Sequence, residues 1–368
     1  MESQLIHTVE LGDWALGIAS LDNHGIVVSL SDGSLNLVDS NGNFSRTDAH
    51  SGCISSLRNV DKKNIVATAA ADGVKVWDFR CINQGPVSKF LNEKNVPFLS
   101  LDFEHGLLGA GSELEGTDSE IYIWDLRNSS PLRKLSESHH DDITEVKFHG
   151  TNKDLLLSGS TDGYVNVYDL TFPEEEDALH QVINFASIHS ADFLSASRIY
   201  TLSHMETFAI HELNDKSSDL KEPQPVQFGD VREPWNCEYV VNIYPGYVAC
   251  GSNSQESLTL YPFQNEKVDT ERKLTFKPAH GEEVVRDVFF KDSRIYTAGE
   301  DSKLKIWQSS HWPAPDGSVD SEELQTSKDE NSLNEDYRKF KKHKKDGSKE
   351  QKSKKTKKDK HSNRFKPY

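Results

Sequence analysis

D-G-V-K-V-W-D, residues 72–78, is the stretch on which the fold turns. A tight Asp-Gly turn leads into alternating apolar residues, then an aromatic residue and an acid. This reads as a turn opening a strand with one buried face. The phrase returns as E-I-Y-I-W-D at 120–125, D-G-Y-V-N-V-Y-D at 162–169 and D-S-K-L-K-I-W at 301–307. Weaker copies end at Val38, His211 and Tyr261. The reference positions Val38, Trp77, Trp124, Tyr168, His211, Tyr261 and Trp307 are 39, 47, 44, 43, 50 and 46 residues apart. That period marks an array of small sheets rather than one large core. Upstream apolar runs such as N-I-V-A-T-A-A (64–70) and L-L-L-S-G-S (155–160) supply neighbouring strands, and helical periodicity is nearly absent before Pro313. The spacing predicts an all-β chain of seven four-stranded units.

Three units extend the phrase to the left. His50, His140 and His280 lie 27, 28 and 27 residues before Trp77, Tyr168 and Trp307. Thr68, Ser158 and Thr297 each stand four residues before the turn acids Asp72, Asp162 and Asp301. Acid, histidine, hydroxyl and aromatic ring can bond in series within one unit, each bond contributing about 1 kcal/mol. The competing reading is a His-Asp-Ser catalytic triad. Repetition of the set at the unit period, three times, favours a structural network.

The pattern resembles the WD-repeat family of β-propellers over residues 1–313, and the architecture with its basic tail is most similar to the WD repeat-containing protein 89 group. The resemblance implies a seven-bladed ring. No strand follows Trp307, whereas residues 4–11 (Q-L-I-H-T-V-E-L) alternate like a strand. The N-terminal strand is therefore expected to complete the last blade and close the ring.

In such a ring the segments leading into the innermost strands converge on one face. Here they hold Asp13, Trp14, Phe98, Asp141, Asp142, Trp235, Glu238, Glu282 and Glu283. Acids interleaved with aromatic rings suit a Lys- or Arg-rich protein or peptide through ion pairing and cation–π contact. Two blades end in W-D-x-R, at 77–80 and 124–127. This is similar to the box of substrate receptors that dock on the damaged-DNA-binding adaptor of cullin ubiquitin ligases. That resemblance assigns Arg80 and Arg127 to adaptor docking.

The 368-residue chain has a net charge of −17, but residues 337–368 carry 15 Lys/Arg against 3 Asp/Glu. An acidic body repels phosphates, so the ring is not expected to bind nucleic acid directly. Residues 314–336 read as an acidic disordered linker and 337–368 as a Lys-rich disordered tail. Lys341, Lys342, Lys344, Lys345, Lys354, Lys355, Lys357 and Lys358 form clusters of the nuclear-localisation type, with a nuclear or nucleolar address expected and RNA contact a further role for the tail. No signal peptide or membrane span is apparent, and the four cysteines form no C-x-x-C pair. Phosphate-loop, G-x-S-x-G, H-E-x-x-H and cofactor motifs are missing. The sequence thus reads as a non-enzymatic nuclear interaction scaffold without cofactor, metal or small-molecule substrate. A ligase substrate receptor is the alternative.

Overall fold

In a computed structural model, which describes residues 3–215, 224–291 and 293–309, the repeated phrase forms the third strand of each of seven antiparallel sheets. The blades span 15–48, 54–90, 98–135, 143–184, 188–230, 239–276 and 285–308, the last completed by the strand Gln4–Glu10. Each blade follows the chain from an inner to an outer strand, and successive inner strands pack side by side around a central channel. Blade 6 adds a small hairpin, Ser257–Gln264 with Lys267–Val268. One helical turn, Glu175–Ala178, lies between the third and fourth strands of blade 4. The linker and tail at 314–368 lie outside the described residues.

All seven inner strands share a β-bulge near their start, at 15/17, 54/56, 98/100, 143/145, 188/190, 240/242 and 285/287. A bulge adds a residue and bends the strand. Its effect is visible in the side chains. Ala15, Ile54, Phe98, Ile143, Ile188, Val240 and Val285, just before it, are all buried in apolar clusters between blades. Glycines allow this close approach. A Cβ on Gly159 would sit 2.8 Å from Ile188 Cγ2 in the next blade.

Hydroxyls then stitch the inner strands together. Ser55 donates to the Phe98 carbonyl at 2.6 Å, Ser100 to Ile143 at 2.8 Å and Thr144 to Ile188 at 2.8 Å. Each link satisfies an inner-strand carbonyl of the following blade.

Closure uses the N-terminal strand. Gln4–Glu10 runs antiparallel to Lys303–Gln308, and Leu11 N–H bonds the Ser302 carbonyl at 2.9 Å. Val9 and Leu11 join Leu304, Ile306 and Tyr296 in one buried cluster with blade 1. Deleting residues 1–11 is expected to lower the unfolding midpoint of the whole ring, measured by thermal or urea melts. An unchanged midpoint contradicts the closure role. Gly159→Ala should cost about 1–3 kcal/mol by overpacking against Ile188, read in the same melts.

Candidate partner-binding face

The histidine networks come first, because they resemble catalytic triads. In blade 2, His50 Nδ1 bonds Asp72, His50 Nε2 lies 2.7 Å from the Thr68 hydroxyl, and the Trp77 indole donates to Thr68 at 2.9 Å. A carboxylate can only accept, so the imidazole proton belongs on Nδ1 and Nε2 accepts from Thr68. Burial pushes the His50 pKa down, outweighing its bond to Asp72. Burial also raises Asp72, but bonds from Lys75 and His50 prevail and hold it at about 2. Blade 7 repeats the geometry, with His280–Asp301 at 2.5 Å, His280–Thr297 at 2.8 Å and Trp307–Thr297 at 3.0 Å.

In blade 4 the histidine is His139 rather than the expected His140. His139 bonds Asp162 at 2.8 Å and Ser158 at 2.7 Å. His140 points outward and lies 3.2 Å from Asp118, offering only its backbone N–H to Asp162. The histidine-to-acid spacing is 22, 23 and 21 residues in blades 2, 4 and 7. Turn length therefore varies, and counting back from the aromatic ring selects the wrong neighbour. The Tyr168 hydroxyl meets the Asn166 amide at 3.3 Å.

The sequence reading also missed a member of each network. Lys75 bonds both Asp72 at 2.7 Å and the Ala49 carbonyl at 2.8 Å, and Lys305 bonds the Ala279 carbonyl. Asn166 does the same for the Ser138 carbonyl at 3.1 Å. The signal was a polar residue two positions before the aromatic ring. Thr68, Ser158 and Thr297 have no solvent exposure. A hydroxyl enclosed in this way has no approach for a substrate, so these groups hold blades together instead of performing acyl transfer.

The degenerate blades show what the networks contribute. Blade 3 places Ala110 where blade 2 has Thr68, and the buried Trp124 indole nitrogen has no protein partner. In blade 5, His211 replaces the aromatic residue and bonds Thr201 at 3.0 Å. Burial pushes the His211 pKa down to about 4. Thr68→Val should cost about 1–3 kcal/mol by orphaning the Trp77 and His50 nitrogens, whereas Ala110→Ser should gain about 1 kcal/mol by serving Trp124. Urea melts of both variants check the pair.

One end of the ring gathers the segments that lead into inner strands (11–14, 49–53, 91–97, 136–142, 185–187, 231–238, 277–284) and the turns between second and third strands (31–33, 71–72, 113–120, 161–163, 204–206, 253–256, 300–302). Backbone bonds join the two sets, as from Ser31 N to Trp14 O at 3.0 Å and Thr161 N to Asp142 O at 3.0 Å. Together they carry 20 Asp/Glu and 3 Lys/Arg. The described residues of the opposite face, in the turns between first and second strands (22–24, 60–64, 105–106, 149–154, 196–197, 245–246) and between third and fourth strands (39–43, 79–87, 126–132, 170–178, 213–215, 224–225, 265–273), hold 12 Asp/Glu against 8 Lys/Arg. Acidity is thus concentrated on one face.

Trp14 stands on that face with 48% of its surface exposed, beside Asp13, whose carboxylate accepts Ser31 Oγ at 2.6 Å. Glu282 and Glu283 are exposed at blade 7. Glu238 is exposed at blade 6, where it accepts the Asn253 N–H at 2.8 Å. Two expected contact residues are not on the surface. Phe98 occupies the pre-bulge core position and meets the Trp124 ring at 5.7 Å. Trp235 folds into the core between blades 5 and 6, its ring 5.5 Å from Phe208 and its carbonyl accepting Tyr261 OH at 2.8 Å.

The face also contains acids that spacing alone did not single out. The turn 113–120 has eight residues where the other six have two to four. It carries Glu113, Glu115, Asp118 and Glu120. The turn leans on the lead-in segment of blade 4. Leu114 N donates to Asp142 at 2.8 Å and Ser119 Oγ to the Asp141 carbonyl at 2.6 Å. The 47-residue gap between Trp77 and Trp124 was its trace in the sequence.

The W-D-x-R arginines follow third strands and lie towards the opposite face. Arg80 grips Asp78 with Nε at 2.9 Å and Nη2 at 2.5 Å, and Arg127 grips Asp125 in the same way. Both remain open to solvent, at 63% and 88% side-chain exposure. Asp230 and Arg232 form the same fork without a tryptophan before them. The fork is therefore a local property of D-x-R. The lysines at 341–358 lie outside the described residues.

The profile of the WD domain, G-beta repeat, matches residues 129–169. An uncharacterized WD repeat-containing protein of Saccharomyces cerevisiae is 50% identical over 313 residues, covering 82% of this chain and 80% of its own length. A second such protein, from Schizosaccharomyces pombe, is 30% identical over 77% of this chain and 92% of its own. The WD repeat-containing protein 89 homolog of Dictyostelium discoideum is 27% identical over 70% and 72% of the two chains. With seven sheets in a closed ring and half its residues shared with a yeast relative along most of its length, the chain belongs to the WD-repeat family of β-propellers.

Proposed function

We propose that the chain is a non-enzymatic scaffold whose acidic face holds a basic partner protein or peptide in the nucleus. The observation that carries this reading is the charge contrast between the two ends of the ring, 20 acids against 3 bases on the lead-in side and 12 against 8 in the described turns of the other. Clustered carboxylates around a channel mouth attract cationic segments and raise their local concentration. Trp14 adds an exposed aromatic face for a guanidinium or ammonium group. The nuclear address rests on the lysine clusters at 341–358. Relatives named nucleoporin Nup43 in Mus musculus and Pre-mRNA-processing factor 19 in Oryza sativa, 29% and 27% identical over 44% and 39% of this chain, lend it support. Basic-tail contact with RNA remains part of the same proposal.

A Lys/Arg-rich peptide titrated by fluorescence anisotropy tests the face. Binding should weaken as salt rises, since exposed charges are screened beyond about 8 Å at 0.15 M ionic strength. Glu282→Lys with Glu283→Lys should weaken it about tenfold, and Trp14→Ala about two- to fivefold. Salt-insensitive binding unmoved by these changes rejects the acidic-face reading. Trp235→Ala belongs with the folding controls, because that ring is in the core.

A second reading, docking on a cullin-ligase adaptor, draws on the exposure of Arg80 and Arg127. Each guanidinium is held in place by its aspartate while presenting most of its surface outward. Under this reading Arg80→Ala with Arg127→Ala abolishes co-purification of the adaptor from cells and leaves the ring folded. If the unmodified protein never co-purifies the adaptor, this reading fails.

A further inference from the structure

The central channel contains a charge cluster that neither the blade networks nor the partner face uses. Arg58 comes from blade 2, Asp102 from blade 3, Glu145 and Lys147 from blade 4, Asp192 from blade 5 and Asp287 from blade 7. Arg58 lies 3.8 Å from Asp102 and feels the field of the other three carboxylates. Lys147 lies 3.5 Å from Glu145 and 3.7 Å from Asp192. The cluster thus has two cations and four carboxylates.

The carboxylates are unequally held. Asp102 accepts Phe148 N at 2.8 Å, tying blade 3 to blade 4. Asp287 accepts Ile18 N at 2.7 Å and Tyr244 OH at 2.8 Å, joining blades 6, 7 and 1. Glu145 accepts Ser190 Oγ at 3.3 Å from blade 5. Among the described residues Asp192 has only the N–H of its own neighbour Phe193, at 2.7 Å, and the more distant Lys147. Its remaining surroundings are Asp102, Glu145, the Tyr200 hydroxyl and Arg58. The side chain is 36% exposed.

We propose that this cluster is a proton-linked lock, in which Arg58 pairs with Asp102 across blades 2 and 3 and uptake of one proton at Asp192 tightens the ring. Excess negative charge in a narrow channel favours the neutral acid where solvating partners are fewest. Burial is the main cause, with Asp102 and Glu145 adding to it against the pull of Lys147, and it brings Asp192 up to about 6. The unfolded chain has no such bias. A raised carboxylate pKa means that the folded ring takes up a proton where the unfolded chain does not. Stability from this source therefore grows as pH falls through about 6 and levels off near 4, the ordinary value for an aspartate.

Equilibrium urea unfolding of the full chain between pH 7.5 and 5.0 tests the lock, comparing the unmodified protein with Asp192→Asn. The amide is neutral at every pH. The variant should have the higher midpoint at pH 7.5, and the difference should narrow by about half by pH 5.0, the middle of that window. Glu206, whose carboxylate burial pushes up to about 7 on the partner face, titrates in the same direction. The Asp192→Asn difference should therefore persist in a Glu206→Gln background. Arg58→Met should lower the midpoint most at pH 7.5 and less at pH 5.0. Parallel profiles for Asp192→Asn and the unmodified protein, or a variant less stable at every pH, would overturn the proposal.

Discussion

A ring of sheets has no free choice about its ends. Blade 7 provides three strands and must obtain the fourth from Gln4–Glu10, which pairs with Lys303–Gln308 across nearly the entire sequence. Without that strand Leu304, Ile306 and Trp307 would face an open edge, and the cluster between blades 7 and 1 would lose Val9 and Leu11. Between the other blades, pre-bulge apolar residues pack beside the preceding sheet, and hydroxyl and carboxylate bonds between inner strands add to them. Closure makes these contacts mutually dependent, and the channel and the acidic face follow from it.

The polar networks sit within this apolar frame and obey its geometry. The histidine in blades 2, 4 and 7 connects the lead-in segment to the turn acid, and the hydroxyl carries the link to the aromatic ring in blades 2 and 7. The lysine or asparagine on the third strand then returns to the carbonyl before the histidine. The lead-in loops on the acidic face are fixed from below by buried bonds. Their outward-facing carboxylates can be closely spaced because the backbone that carries them is already restrained.

The fold was legible because its signals are local. Asp-Gly turns, alternation and a terminal aromatic residue occupy a handful of consecutive positions, and the period follows by counting. Residues whose roles depend on a bulge or a turn of variable length were not legible in this way. Phe98 looked like a loop aromatic, but the bulge one residue later places it with Ile54 and Ile143 in the core. Histidines 139 and 140 are neighbours of the same type, and one additional turn residue decided between them. Trp235 goes inward because the segment 231–237 coils on itself, a tertiary outcome with no periodic signature. Trp14 stands one residue before the pre-bulge Ala15, and Glu283 and Glu282 two and three before the pre-bulge Val285, so all three stay outside the core.

The swap of the first strand into the last blade also sets an order of events during synthesis. Gln4–Glu10 is made about three hundred residues before its partner Lys303–Gln308. The earlier blades can assemble their own hairpins meanwhile, since neighbouring strands within each are close in sequence. Gln4–Glu10 cannot reach its native partner until that last strand exists. Its composition suits that wait, for His7, Thr8 and Glu10 interrupt the apolar residues of an edge that would otherwise invite pairing with another chain.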